Sequence, residues 1–194
     1  MIRWKTEYEG AFVQGSSYDV EAGVCECHMM VHACPCGTFE QQLEALHSAF
    51  EQASETGCAG MRPVFVRYFL SDAANQAHTV SAFLDANQVC AVSVLEQPPL
   101  DGSKVALWVY LMKDVEVTNI GAGLWEVRQG DLRHLWMGGS FVRGGDSESQ
   151  MRVLFENYIA SLQANGCTLC EDCIRTWIFV QNVDVNYAGI VKAR

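Results

Sequence analysis

The sequence predicts an α+β fold in which helices pack on one face of mixed sheets, and in which one small module is written twice. Three observations carry this. Apolar residues from Phe39 onward recur at steps of four, three, four and three, the spacing of one helical face. Segments such as "PVFVRYFLSD" are dense in β-branched and aromatic residues, as pleated strands are. A nine-residue strand of the same character, "VFVRYFLSD" then "IRTWIFVQN", begins at Val64 and again at Ile174, each time shortly after a Gly-Cys pair (57–58 and 166–167).

Taken in order, "AFVQGSS" (11–17) and "VCECHMMVHA" (24–33) are expected as strands. A helix follows from Thr38, with Phe39, Leu43, Leu46, Phe50 and Ala53 on one stripe. Thr38 and Gln41 form its capping box, and Gly57 is its stop. "PVFVRYFLSD" (63–72) is a strand that opens on Pro63, where a missing N–H is tolerated. A second helix covers about 73–86. Strands at 88–97 and 103–112 are separated by the turn "PPLDG". The order is therefore β-β-α-β-α-β-β.

After "KDVEVTNIGAG" the order restarts. Strands are expected at 124–130 and 133–141, and a helix opens at Ser147 with Gln150 completing a capping box. That helix carries Met151, Leu154, Phe155, Tyr158 and Leu162 inward and closes at Gly166. A strand at 173–182 and a last helix from 183 complete the chain. The first domain is accordingly 1–117 and the second 118–194, and the second has no counterpart of strands 88–112.

Composition excludes several classes. Nearly half of the 194 residues are apolar and 19% are charged, which suits a buried core rather than disorder. The net charge of −10, with no basic run, disfavours a phosphate backbone as partner. No apolar run reaches membrane-spanning length, and the start "MIRWKTEYEG" lacks the apolar stretch of a secretory leader, so the expectation is a cytoplasmic protein without membrane or nucleic-acid partner. There is no Walker loop, GxSxG, HExxH or strand-borne GxGxxG.

Nine cysteines, an odd number without a leader, point to reduced thiols. "CECHMMVHACPCG" (25–37) and "CTLCEDC" (167–173) hold seven of them. On a strand, Cys25, Cys27 and Met29 share one face while His28 and His32 share the other. Cys34 and Cys36, in a tight turn, have metal-ligand chemistry with His28 or His32 assisting. Structural zinc sites favour paired Cys-x2-Cys knuckles, however, and buried cysteine packs as a small hydrophobe. The expectation is packed thiols, no metal and no cofactor.

Arg143, between glycines in "GGSFVRGG", is a candidate anion ligand, and Arg175 and Trp177 share one face of the expected last strand. Solvation of Arg143 and pairing of Arg175 with Glu171 or Asp172 are the bland alternatives.

The strand "IRTWIFVQNV" leading into "DVNYAGIVKAR", with "SVLEQPPLDGSKVALWVYL" as a closing hairpin, resembles the Rid family, also called YjgF or endoribonuclease L-PSP. A neighbouring group with the same "RTW" strand is the chorismate-hydrolysing enzymes. The resemblance implies a chorismate-mutase-like fold assembled as trimers, or here a pseudo-trimer of modules, with clefts between neighbouring sheets. It implies hydrolysis of reactive imines and enamines, a deaminase chemistry, with an arginine on the closing hairpin binding the substrate carboxylate. "LWMGGS" is similar to the family's cleft-lining stretch, which makes Gly138, Gly139 and Ser140 substrate-binding candidates beside Arg143, Arg175 and Trp177. The family's arginine position falls on Val89, and "KVALWVYL" lacks the acidic residue expected on the following strand. The catalytic residues thus stay unassigned. The function expected is action on, or binding of, a small carboxylate such as an imino acid or a chorismate-like acid. The alternative is a non-catalytic metabolite- or protein-binding member of the fold. The translation-inhibitor and RNase activities attached to the family's older names conflict with the acidic charge.

Overall fold

The computed structural model describes residues 1–19 and 25–194. By compactness the chain forms two units, Met1–Gly139 and Ser140–Arg194. In the first, β1 (Ile2–Tyr8), β2 (Ala11–Asp19), β3 (Cys25–Ala33), β4 (Met61–Leu70), β5 (Ala91–Glu96) and β6 (Val105–Lys113) form one six-stranded sheet in the order β1-β2-β3-β6-β4-β5. Every pairing is antiparallel except β4 with β5. A parallel pair requires a crossover, and α2 (Ala73–Asn87) supplies it. The mixed α+β class expected from the sequence is the class observed. Of the strand expected at 24–33, residue 24 lies outside the described residues.

Helix α1 (Phe39–Gly57) has the expected capping box: the Thr38 hydroxyl accepts the Gln41 N–H, and the Gln41 side chain accepts the Thr38 N–H. Its stripe buries Phe39, Leu43, Leu46, Ala49 and Ala53 against Val13, Met29, Val31, Leu107 and Val109 of the sheet. Each large side chain so buried contributes about 1.5–3 kcal/mol. Val80 and Leu84 of the following helix join the same core, so both helices of this unit pack on this face.

Strand β1 was not expected from the sequence. Its Trp4 stands opposite Gly15 of β2, and a side chain at Gly15 would overlap the indole ring, so glycine there opens the space through which Trp4 reaches the core.

The opposite face holds a second core of Val64, Phe65, Tyr110 and Met112, completed by Trp125, Val127 and Trp136 of a three-stranded antiparallel sheet. That sheet consists of β7 (Glu116–Gly121), β8 (Leu124–Gln129) and β9 (Leu132–Met137). β7 lies within "KDVEVTNIGAG", where no strand was expected, and β9 ends at Met137 rather than 141.

In the second unit, α3 (Ser147–Ala164) is capped by Asp146, whose side chain accepts the Ser149 N–H, rather than by Ser147. Ser147 instead lies against Gly189 of α5 (Val183–Ala193), where a side chain would collide with it, and Lys192 reaches Glu148 at 2.7 Å. The strand expected at 173–182 is a correction. Among the described residues these positions follow the short helix α4 (Leu169–Asp172) without entering any ladder. A strand exists only through its neighbours' hydrogen bonds, so β-rich composition alone does not create one.

Candidate functional site

The non-helical face of the six-stranded sheet collects the chemistry of the first unit. Strand alternation and register lay two rows across it: Ser16–His28–Tyr110–Phe65–Ala91, and Gln14–Met30–Trp108–Arg67–Ser93. Arg67 is 6% exposed, and its guanidinium carbon lies 5.2 Å from the centre of the Phe65 ring and 5.1 Å from that of Trp108. Two ring faces thus stabilise the cation by cation–π attraction. Burial pulls its pKa down, yet a guanidinium remains protonated at neutral pH. A guanidinium fork matches the two oxygens of a carboxylate, so this side chain has anion-binding chemistry.

Beside it, His28 stacks on Tyr110 with ring centres 4.5 Å apart and lies parallel to Trp108 at 5.7 Å. Burial lowers the His28 pKa, opposed by the charge of Glu26, so the imidazole is mainly neutral at pH 7. Burial, then a hydrogen bond to Glu26, pushes the Tyr110 phenol ionisation up, leaving it a neutral donor. The face therefore presents one cation, two neutral groups able to donate or accept a proton, and flat aromatic walls. Trp136 packs on Phe65 and Tyr110 at 5.4 Å, so the β7–β9 sheet borders this constellation.

The residues singled out from the sequence divide between the two units. Gly138 and Gly139 follow β9 in the first. The Gly139 N–H donates to Ser93 Oγ at 3.3 Å, and a side chain on Gly138 would overlap the Val92 carbonyl. These glycines are explained by the close approach of two backbones. In the second unit, the exposed Arg143 lies over the Phe141 ring at 5.5 Å, and Arg175 lies over Trp177 at 5.7 Å. Ser140 is exposed at the start of that unit. Thr168 caps α4 by accepting the Glu171 N–H, and Asp172 accepts the Thr168 N–H at 2.6 Å. Val89 is 53% exposed in the segment before β5.

Sequence reasoning passed over Arg67, although a trace of it was present. Counting 110 residues onward, Phe65 and Arg67 become Arg175 and Trp177, the same cation–aromatic pair two residues apart in reversed order. A lone cation within "VFVRYFLSD", flanked by apolar residues, was the other trace.

All nine cysteines are unbridged. Cys27, Cys58 and Cys90 are buried, and the Cys27 and Cys58 thiols hydrogen-bond to each other between β3 and the end of α1. Cys36 and Cys170 are exposed. His32 lies 3.3 Å from Asp101 and stacks on Phe12. Among the described residues, no three His, Cys, Asp or Glu side chains are grouped to hold a metal ion. No helix there is long and apolar enough to cross a membrane.

Comparison with protein-family models, curated proteins and solved structures gave no match to this chain.

Proposed function

We propose that the chain is a tandem Rid-like protein whose first module takes a small unsaturated carboxylate, an imino acid or a chorismate-like acid, on the sheet face around Arg67. The observation that carries this is the guanidinium set against the adjoining Phe65 and Trp108 rings, whose centres are 5.8 Å apart. Its fork grips the carboxylate, the rings offer an aromatic surface to the conjugated part, and Tyr110 and His28 offer neutral hydrogen-bonding groups beside it. Arg67 takes over the charge that the family resemblance would place at position 89, from the strand paired with β5. On an imine, the reaction is addition of water to the carbon–nitrogen double bond and departure of ammonia, leaving the keto acid.

Support for the tandem reading is the recurrence of Gly-Cys after a helix and of the cation–aromatic pair. On this reading β7, β8 and β9 open the second copy, from 118 by sequence, while Trp125 and Trp136 join the first copy's core. A non-catalytic, partner-binding role is the second reading. It is favoured by the exposed apolar residues of the second unit, among them Ile174 and Val185.

Titration calorimetry with a 2-oxo acid tests the site. Arg67→Met keeps an unbranched apolar stem beside the rings but removes the guanidinium and its charge. It is expected to weaken carboxylate binding about a hundredfold, as loss of one member of a desolvated charge pair does. Equal affinity in the two proteins would sink the proposal. Ammonia release from an imine generated in situ separates the roles: acceleration by the wild type makes it an enzyme, and binding without acceleration makes it a binder.

A further inference from the structure

On the opposite side of the six-stranded sheet, residues of α1, α2 and β4 line a cleft. Its inner lobe, about 280 Å³, has Phe50, Val66, Tyr68 and Val92 among its walls, and its outer lobe, about 400 Å³, runs along the two helices. His47, Glu51 and Phe83 line both lobes, which are therefore neighbours. The volume suits a one- or two-ring molecule.

The polar groups of this groove are arranged by sign. Inside, His47 Nε2 and the Tyr68 hydroxyl are hydrogen-bonded at 2.9 Å, and the imidazole stacks on Phe83 with ring centres 3.9 Å apart. Burial holds His47 down to about 4 and Cys90 up to about 12, and it raises Tyr68 as well, so all three are uncharged at neutral pH. At the rim, Glu40, Glu44 and Glu51 stand along one side of α1, all exposed. No Lys or Arg lines either lobe. A carboxylate ligand would meet only like charge here, whereas an ammonium on an apolar body would find aromatic faces within and carboxylates at the mouth.

We propose that the α1–α2 groove is a binding site for a small apolar primary amine, its ring or chain between Phe83, Phe50 and Val92 and its ammonium at the Glu51 side. This site is separate from the carboxylate face around Arg67, and of opposite charge preference, so either proposal can fail without the other.

Tryptamine and indole-3-acetate, which share one ring system and differ in charge, are the probes. In titration calorimetry, tryptamine is expected to bind about tenfold or more tightly than the acid. The Glu40→Gln, Glu44→Gln, Glu51→Gln triple variant changes only exposed positions and is expected to lose that preference. Amide chemical shifts should move around His47 and Phe83. Absence of tryptamine binding, equal binding of the two probes, a preference that survives in the triple variant, or shifts centred on His28 and Trp108 would each overturn the proposal.

Discussion

His47 gives the residue scale its sharpest prediction. Its ring is packed against Phe83 and Tyr68, and nothing cationic faces it; Glu44 and Glu51 lie on its own helix and Cys90 across the groove. Desolvation alone holds its folded pKa to about 4, below the usual value near 6.5. The unfolded chain therefore binds more protons than the folded chain between those values. The stability tied to neutral His47 is complete above about pH 6.5 and is lost as pH falls towards 4, by about 3 kcal/mol at most. Urea unfolding at pH 7 and at pH 4.5 should show a smaller loss in His47→Gln than in the wild type, because glutamine cannot take up that proton. Identical losses would show that His47 does not control the acid response. Arg67 belongs to the same scale: a single strand position becomes chemically special only because Phe65 and Trp108 come to lie beside it.

Among elements, the seam between the end of β9 and β5 is the most constrained. Gly138 runs against the Val92 backbone, which cannot move aside as a flexible side chain could. Gly138→Ala should therefore cost about 1–3 kcal/mol, the usual range for forcing extra atoms into a packed site, read as a lower urea midpoint with unchanged slope. An unaffected midpoint would mean that the seam opens easily, and would restore Gly138 to the role of a ligand-lining residue. α1 was legible in advance because its stripe and capping box are local patterns, set within four residues of each position. β1 was not, because the reason for it lies at Gly15, across a hairpin. The segment 173–182 shows the reverse: strong β character without a partner strand among the described residues. Intrinsic preference proposes a strand, and only a neighbour's free edge makes one.

For the molecule as a whole, two surface properties pull against each other. A net charge of −10 keeps copies apart, while the second unit exposes Ile174 by 89%, Val185 by 78% and Phe141 by 69%. Exposed apolar residues in such number mark surfaces that associate. Sedimentation velocity should show concentration-dependent association, strengthened by salt as the net repulsion is screened. The Ile174→Asp, Val185→Asp double variant should weaken it. A wild type that stays monomeric at all concentrations and salt levels would assign this surface no part in assembly. The sequence by itself determined the α+β class, the helix stripes and their caps, the unpaired thiol chemistry and the acidic surface, because each follows from composition or from spacing within a few residues. Only the tertiary structure decided which strands are neighbours, and with them which side chains share a face. Arg67 meets Trp108 across 41 residues, and His47 meets Phe83 across 36, through strand register and helix packing that no local pattern encodes.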